Sequence, residues 1–362
     1  MKIACVAGAR PNFMKIAPIL EAMKPYPYLE PILVHTGQHY DYQMSGVFFK
    51  ELEIPEPDIY LGVGSDSHAV QTAKIMIAFE KTILDCQPNL VLVVGDVNST
   101  LACALVAVKS GVAVAHVEAG IRSFDRSMPE EINRILTDDL ADYLFPTSNF
   151  GHDNLRNEGI PSGKIFVVGN VMIDTLFKFQ QRAHQTTIIA DLGLTEKSYA
   201  IMTLHRPSNV DIKENLTAIL DAVEQIQKQI QIVFPIHPRT KNRLEQFGLT
   251  DCVASMHNLK LINPIGYCPM LNLMMHAKFA LTDSGGMQEE TTVLNIPCLT
   301  RRDNTERPET IEIGTNALVG SNTQSIVEES LKILSGNGKT GTYPELWDGH
   351  AADRIVEVLN EI

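Results

Sequence analysis

The sequence predicts an α/β fold made of two doubly wound domains. Short apolar segments alternate with amphipathic ones along most of the 362 residues, as expected for strands that alternate with helices. The apolar segments carry almost no charge; Leu90 to Val94 reads LVLVV, which is typical of a parallel strand buried on both faces. A chain of this length is long for one hydrophobic core and suits two domains of ordinary size.

The composition limits which classes of ligand and which cellular surroundings we expect for the protein. The formal net charge of −13 argues against a nucleic-acid backbone as ligand, because such binding needs a basic surface. No basic segment leads into an apolar signal, and no apolar run approaches the length of a membrane span, so we expect a cytoplasmic protein without membrane contact. The six cysteines are scattered without a C-x-x-C pair, which predicts reduced, buried thiols and no zinc.

The first β–loop–α unit carries two cations. The apolar segment from residue 2 to 7 ends at GARPN, and a helical pattern follows. The loop lacks the G-x-G-x-x-G pattern and no acidic residue closes the next strand, Pro31 to Thr36, so a nicotinamide cofactor is disfavoured. Arg10 is the better candidate for a ligand contact, while Lys15 has the alternative of being an exposed helix charge.

Carboxylates follow the next two predicted strands. Asp96 follows Leu90 to Val94 after one glycine, and Glu118 follows the predicted strand Val112 to Val117. Carboxyl ends of parallel strands share one edge of the sheet, where ligands bind, so we expect these groups, His116 and Arg122 near one another. In the helix that opens at Pro129, Glu130 and Arg134 are four residues apart, and a surface ion pair is the alternative to a site role.

The second half repeats the alternation. A strand from Ile165 to Val168 is expected to close the first domain, residues 1–169, and a polar helix from Thr175 to Thr187 leads into the second, residues 170–349. The final amphipathic segment, 350–362, could pack back on the first domain. His205 and His237 each end a predicted strand with an arginine close behind, which favours a ligand role over a structural one.

The segment from Thr282 to Pro308 predicts a diphosphate site. A strand meets Ser284, Gly285 and Gly286, and a helix begins there, whose free N–H groups and dipole favour an anion. Glu290, one turn into the helix, could accept both hydroxyls of a ribose, and Arg307 could reach a phosphate. The alternative is an ordinary helix start with Glu289 and Glu290 on a solvated face. The residues alone thus indicate a sugar nucleotide or another phosphorylated ligand in a cleft between the domains.

The ordered motifs resemble those of one known family. GARPNFMKIAP, TGQHYD, GDVNST, HVEAGIRSFD, MPEEINR, GNVMIDT, LHRPSN, TDSGGMQEE and RDNTERPE, over nearly the whole chain, are similar to those of the non-hydrolysing UDP-N-acetylglucosamine 2-epimerases. The resemblance implies a GT-B type fold with the ligand cleft between two Rossmann-like domains, a homodimer, and neither a metal nor a nicotinamide cofactor.

The resemblance also implies roles for individual residues. It assigns UDP or UDP-sugar binding to Arg10, Lys15, Arg134, His237, Met270, Ser284, Gly285, Gly286, Glu290 and Arg307, with Met270 meeting the uracil through its backbone. It assigns acid–base candidates to Asp96, Glu118, Glu130, His205 and Lys15. Asp96 is the first choice for the base and Glu118 the second.

The implied chemistry is elimination of UDP to a 2-acetamidoglucal and re-addition with the opposite configuration at C2. The family often has a glutamate where this chain has Ser208, so a carboxylate beside His205 is missing from the motif. Four alternatives stay open: an epimerase of a modified UDP-aminosugar, a hydrolysing relative that releases free N-acetylmannosamine, a GT-B glycosyltransferase, and a non-catalytic UDP-sugar sensor.

Overall fold

The computed structural model describes residues 1–37 and 53–362, without the side chain of Arg10. The chain divides into two compact units, Met1–Lys178 with Glu345–Ile362, and Phe179–Pro344. We expected domains of residues 1–169 and 170–349; the division falls inside the helix Val171–His184. Most of the TGQHYD motif lies outside the described residues.

In the described part of the first unit, six parallel strands form one sheet in the order β3-β2-β1-β4-β5-β6. The strands are β1 (Lys2–Ala7), β2 (Glu30–His35), β3 (Ile59–Tyr60), β4 (Leu90–Val94), β5 (Ala113–Ala119) and β6 (Tyr143–Pro146). The helices are Arg10–Met23, His68–Cys86, Asn98–Lys109, Pro129–Leu140, Asn149–Asn157, Val171–His184 and Ala351–Asn360, with a 3₁₀ turn at Ser162–Lys164.

The second unit also has a sheet of six parallel strands, in the order β12-β11-β10-β7-β8-β9. The strands are β7 (Tyr199–Thr203), β8 (Gln231–Pro235), β9 (Leu259–Ile262), β10 (Phe279–Thr282), β11 (Cys298–Thr300) and β12 (Asn316–Leu318). The helices are Ile188–Asp191, Pro207–Val210, Lys213–Ile226, Pro238–Phe247, Thr250–Ala254, Tyr267–His276, Gly285–Val293, Pro308–Glu312 and Thr323–Leu334.

Both sheets have the same strand order when each is numbered from its own first strand, namely 3-2-1-4-5-6. This is the order of the doubly wound nucleotide-binding fold, so the predicted fold class is confirmed for each unit. The strand order reverses between β1 and β4 in the first unit and between β7 and β10 in the second. Ligands of such sheets bind at the carboxyl ends of the strands beside this switch point.

One predicted strand is wrong. Ile165 to Val168 forms no strand, because only Ile165 makes a bridge, to Leu144. The segment lies beside β6 and donates two backbone hydrogen bonds to it, from Phe166 and Val168. The sixth strand is instead β6, which the sequence analysis missed because four residues ending in proline give little signal.

The C-terminal segment belongs to the first unit. The helix Ala351–Asn360 packs against Arg10–Met23. Asp174 caps its first turn, accepting the N–H groups of Ala351 at 3.1 Å and Ala352 at 2.7 Å. The buried indole of Trp347 donates to the carbonyl of Thr147 at 2.9 Å. These contacts hold the last 18 residues in place by satisfying a helix terminus and an indole N–H.

Two further expectations concern the cysteines and membrane-spanning helices. All six cysteines are free; Cys5, Cys103, Cys268 and Cys298 are buried as expected, whereas Cys86 is half-buried and Cys252 exposed. Within the described ranges, no helix combines the length and the apolar character that crossing a bilayer requires.

Candidate active site

The loops that leave β1 and β4 are tied together at the first switch point. Asn12 donates from Nδ2 to the carbonyl of Val94 at 3.1 Å, and its Oδ1 accepts the N–H of Ala9 at 2.9 Å. Arg10 is the first residue of the helix Arg10–Met23; its side chain lies outside the described atoms, so its predicted phosphate role stays a prediction. One buried asparagine therefore fixes both loops of the site.

Glu118 sits at a bulge at the carboxyl end of β5. The pairing of β5 with β6 shifts register between Val117 and Ala119, and Glu118 has a φ of 72°, in the left-handed region. A non-glycine residue there is strained by about 1–3 kcal/mol and is typical of functional sites. A bulge re-aims a side chain, and here the Glu118 carboxylate is buried against Lys15 in an ion pair.

Lys15 is thus not an exposed helix charge. Its ammonium group and the Glu118 carboxylate lie directly over Gly95, where an added Cβ would be 3.3 Å from Nζ and 3.4 Å from Oε2. Gly95 precedes Asp96, so the predicted carboxylates gather at one edge of the sheet. This expectation from the strand pattern is confirmed by the geometry.

Asp96 is held by Arg134. The two side chains form an ion pair, and the Asp96 carboxylate is one-third exposed while the guanidinium is buried. Arg134 also binds Glu131 at 2.7 Å, and Asn133 donates to the Asp96 carbonyl at 2.9 Å. Arg134 therefore does not lie on a solvated helix face. Glu130 is half-buried and, among the described residues, makes no hydrogen bond or ion pair.

Sequence reasoning missed Glu131. Its carboxylate accepts the N–H and Oγ of Ser123 and the N–H of Phe124, each at 2.9 Å. It therefore fixes the loop after β5 as well as Arg134. Adjacent acidic residues at a helix start gave no signal to prefer one over the other.

In the second unit, Asp283 holds the loop that contains His205. Its buried carboxylate lies 2.8 Å from His205 Nδ1 and accepts the N–H groups of His205 and Arg206 and the amide of Asn209. Burial would raise the pKa of Asp283, but the hydrogen bonds and charge of His205 and the backbone N–H groups hold it at about 2. The ionised carboxylate fixes a proton on Nδ1 of His205 and leaves Nε2 available for a contact with a ligand. Although Ser208 is exposed, His205 therefore has a carboxylate partner after all.

His237 lies beside His205, with ring centroids 5.7 Å apart. Burial, together with the charges of His205 and Arg239, lowers its pKa below the ordinary value. Its Nδ1 accepts the N–H of Arg239 at 3.1 Å, which fits a neutral ring. The prediction that the two strand-end histidines share one sheet edge is confirmed.

The SGG turn begins the helix Gly285–Val293, with Ser284 as its N-cap residue. An added Cβ at Gly285 would lie 2.8 Å from Arg307 Nη1, so any other residue here would displace the Arg307 guanidinium. Arg307 in turn binds Glu289 and Glu306, both at 2.6 Å. Glu289 is 1% exposed and Glu290 6%, so the alternative of a solvated face is wrong.

Glu290 is a buried carboxyl group with a strongly raised pKa. Burial lifts it from 4.5 to about 7, against the lowering effect of a 2.7 Å hydrogen bond from Tyr267 Oη, and the nearby charge of Glu289 adds to the rise. Tyr267 opens the helix Tyr267–His276, which also carries the half-buried Met270. The helix that would meet a base and the carboxyl group that would meet a ribose are thus linked directly.

The chain is similar to known proteins over essentially its whole length. The family model described as UDP-N-acetylglucosamine 2-epimerase matches residues 21–360. The UDP-N-acetylglucosamine 2-epimerase of Methanocaldococcus jannaschii is 43% identical over 364 residues, 99% of both chains. The UDP-2,3-diacetamido-2,3-dideoxy-D-glucuronate 2-epimerase of Pseudomonas aeruginosa is 42% identical over 368 residues, the whole of both chains.

A solved structure extends the likeness to three dimensions. The crystal structure of the M. jannaschii UDP-GlcNAc 2-epimerase in complex with UDP-GlcNAc and UDP matches with a TM-score of 0.92 at 43% identity, over all of both chains. Because the family model and these relatives cover essentially the whole sequence, the chain belongs to the UDP-N-acetylglucosamine 2-epimerase family.

Proposed function

We propose that this protein interconverts UDP-N-acetylglucosamine and UDP-N-acetylmannosamine by inverting C2. The observation that carries the proposal is the pair of carboxylates, Asp96 and Glu118, each bound to a buried cation at the switch point of the first sheet. Such groups are suited to moving a proton at carbon, which nucleotide binding alone would not need.

The second unit is the proposed UDP site. The free N–H groups after Ser284 face a diphosphate at the start of a helix, and the guanidinium of Arg307 lies beside Gly285. Glu290 takes the ribose hydroxyls, and the backbone of Met270 meets the uracil. His237 adds an anion contact in the same unit, while the anion-binding roles of Arg10 and Arg134 stay predictions from the resemblance.

The proposed reaction is an elimination followed by an addition. A carboxylate, with Asp96 as first choice and Glu118 as second, removes the C2 proton. The C–H electron pair becomes the C1–C2 double bond while the C1–O bond breaks and its electrons leave with UDP. Re-addition of UDP at C1 and protonation at C2 from the other face gives the epimer. Glu130, His205 and Lys15 are the further acid–base candidates, and cations and N–H dipoles take up the charge of departing UDP.

The test is NMR of purified protein with UDP-GlcNAc in H2O and in D2O. We expect UDP-ManNAc, with deuterium at C2 of the product and, with time, of the recovered substrate. Free N-acetylmannosamine would support the hydrolysing alternative instead. Conversion without deuterium at C2 would argue against an exposed base, and no conversion would leave a sensor or a glycosyltransferase.

A second candidate substrate is a UDP-2,3-diacetamido uronate. The identity to the P. aeruginosa enzyme that is named for this sugar, 42%, is nearly the same as that to the M. jannaschii enzyme. Parallel assays with both UDP-sugars would decide, because the physiological substrate should have the larger kcat/KM.

In either case we propose a cytoplasmic supply of activated aminosugar for cell-surface polysaccharide. An unchanged envelope polysaccharide in a deletion strain would contradict that role.

We also propose a homodimer, formed through an apolar helix face of the first unit. Val70, Ile77 and Leu84 are exposed at seven-residue spacing along His68–Cys86, and Ile77 is 72% exposed. Residues seven apart lie on one side of a helix, so they form a stripe that a second copy could bury. Light scattering should give twice the 40.1 kDa chain mass, and Ile77→Glu should give a monomer. A wild-type monomer at micromolar concentration would contradict the proposal.

A further inference from the structure

His116 is a fully buried histidine in the middle of β5, two residues before Glu118. Its Nδ1 lies 2.6 Å from Asp138 Oδ1 and its Nε2 lies 2.8 Å from the carbonyl oxygen of Gly95. A carbonyl oxygen only accepts hydrogen bonds, and so does an ionised carboxylate. If Asp138 is ionised, both ring nitrogens must carry protons and the ring is an imidazolium.

Asp138 has the surroundings of an ionised carboxylate. Its Oδ2 accepts the N–H of Gly120 at 3.0 Å and lies 2.7 Å from Arg122 Nη1. Burial alone would raise the pKa of Asp138, but the charge and hydrogen bond of His116, together with Arg122, hold it below the ordinary value. The Gly120 N–H and the Arg122 guanidinium are donors whatever the state of His116, and the guanidinium is a buried positive charge, so Asp138 is ionised.

We propose that His116 is a positioning residue: as a buried imidazolium held between Gly95 and Asp138, it fixes the ends of β4 and β5 from which Asp96 and Glu118 act. Its Nε2 bond holds the residue directly before Asp96. Its Nδ1 bond reaches Asp138, which also holds Gly120 on the far side of the strained Glu118. The proposal rests on the proposed epimerase function, in which those carboxylates move the C2 proton.

The same contact orients the helix that supplies Arg134. Asp138 lies one turn after Arg134 on Pro129–Leu140, and Arg134 binds Asp96. His116 therefore connects three elements that meet at the first site, namely β4, β5 and this helix. A displacement of about 1 Å at reacting groups can lower a rate by about a hundredfold, so loss of this contact should act on turnover.

The first test is independent of activity. In ¹⁵N-histidine-labelled full-length protein, both ring nitrogens of His116 should show the chemical shifts of protonated nitrogen from pH 6 to 8. His350, which is exposed, serves as the titrating reference in the same spectra. A signal for one unprotonated ring nitrogen of His116 at pH 7 would overturn the imidazolium.

The second test separates positioning from simple stability. Asp138→Asn keeps the shape but removes the charge, so we expect kcat for UDP-GlcNAc to fall about ten- to a hundredfold, KM to change less than about twofold, and the pH–rate profile to shift. The matched control is Glu158→Gln, which removes the solvent-side partner of Arg122, 37% exposed, and should leave kcat and the profile unchanged.

Native kcat and pH profile in a folded Asp138→Asn variant would refute the positioning role. If that variant does not fold, the ¹⁵N spectra of the wild type still decide the protonation on which the proposal depends. If the wild type does not convert UDP-GlcNAc at all, the proposed function fails while the spectra report on His116 separately.

Discussion

At the scale of single residues, each of the two carboxylates proposed as the base has a buried cation as its partner. Asp96 is one-third exposed beside Arg134, whereas Glu118 is buried beside Lys15. Removing either charge should keep the fold but lose the base or its electrostatic partner. We expect Asp96→Asn and Glu118→Gln each to lower kcat about a hundred- to ten-thousandfold while UDP affinity stays nearly constant.

The measurement is turnover by NMR together with UDP binding by calorimetry. Asp139→Asn is the control, because Asp139 is exposed on the same helix as Arg134 and its loss should leave turnover unchanged. A folded variant of Asp96 or Glu118 with near-normal turnover would remove that residue from the acid–base role.

Glu290 predicts a pH-dependent nucleotide affinity. With a pKa of about 7 in the folded protein, Glu290 is mostly protonated at pH 6 and mostly ionised at pH 8. The ionised form accepts two ribose hydroxyls better, so binding should release a proton, and UDP affinity should rise about tenfold from pH 6 to 8 through this group. Glu290→Gln should bind UDP more weakly and lose this part of the pH dependence.

The comparison of wild type with Glu290→Gln removes the contribution of the UDP phosphate, which also titrates in this range. The same raised pKa has a consequence for stability with the opposite sign. The stabilising effect of protonated Glu290 is complete below pH 4.5 and is lost as pH rises through about 7. Identical pH profiles of UDP affinity in the wild type and in Glu290→Gln would contradict the role of Glu290 as ribose ligand.

At the scale of elements, the bulge in β5 depends on a close backbone contact. Gly120 has a φ of 76°, and an added Cβ would lie 2.2 Å from the carbonyl oxygen of Gly151. Gly111 has a nearly equal φ of 73° in the same unit but has nothing within 4 Å. A comparison of the same substitution at Gly111 and at Gly120 therefore separates the effect of backbone strain from the effect of steric conflict.

We expect Gly111→Ala to lower the free energy of unfolding by about 1–2 kcal/mol, from strain alone. Gly120→Ala should lower it by clearly more, and should also reduce kcat, because the backbone around Glu118 has to move. Urea unfolding of both variants is the measurement. Equal losses of stability in the two would mean that the Gly120–Gly151 contact relaxes without effect on the bulge.

Sequence patterns predicted helices, strands and the sheet edge at which the strands end, because helices and strands follow from local periodicity. Asp96, Glu118, His205 and the SGG turn all follow apolar strands, so their common edges followed from topology. The partners could not be predicted in this way. Asp283 lies 78 residues from His205, and nothing near the histidine in sequence signals it. The strand β6 was missed for a related reason, since pairing with β5 rather than composition makes it a strand.

At the scale of the whole molecule, the chain uses one strand order twice and places different chemistry at each switch point. The first sheet edge carries carboxylates paired with buried cations, and the second carries a helix start, two histidines and a buried glutamate. The alternation of strands and helices predicted this duplication. Because the candidate acid–base groups and the candidate nucleotide-binding groups lie on different sheets, no single sequence motif identified the function by itself.

Binding of UDP should therefore stabilise the protein in a way that depends on the second unit's residues. A ligand that binds only the folded state at about a hundred times its dissociation constant adds roughly 2.7 kcal/mol to the free energy of unfolding. We expect UDP to raise the melting temperature accordingly, uridine to raise it less because the helix start at Ser284 stays empty, and Glu290→Ala to need more UDP for the same rise. Coincident melting curves with and without saturating UDP would show that the nucleotide does not bind here. An equal rise with uridine and UDP would instead remove the diphosphate role of the SGG turn, since the N–H groups at that helix start can stabilise only the ligand that carries the anion.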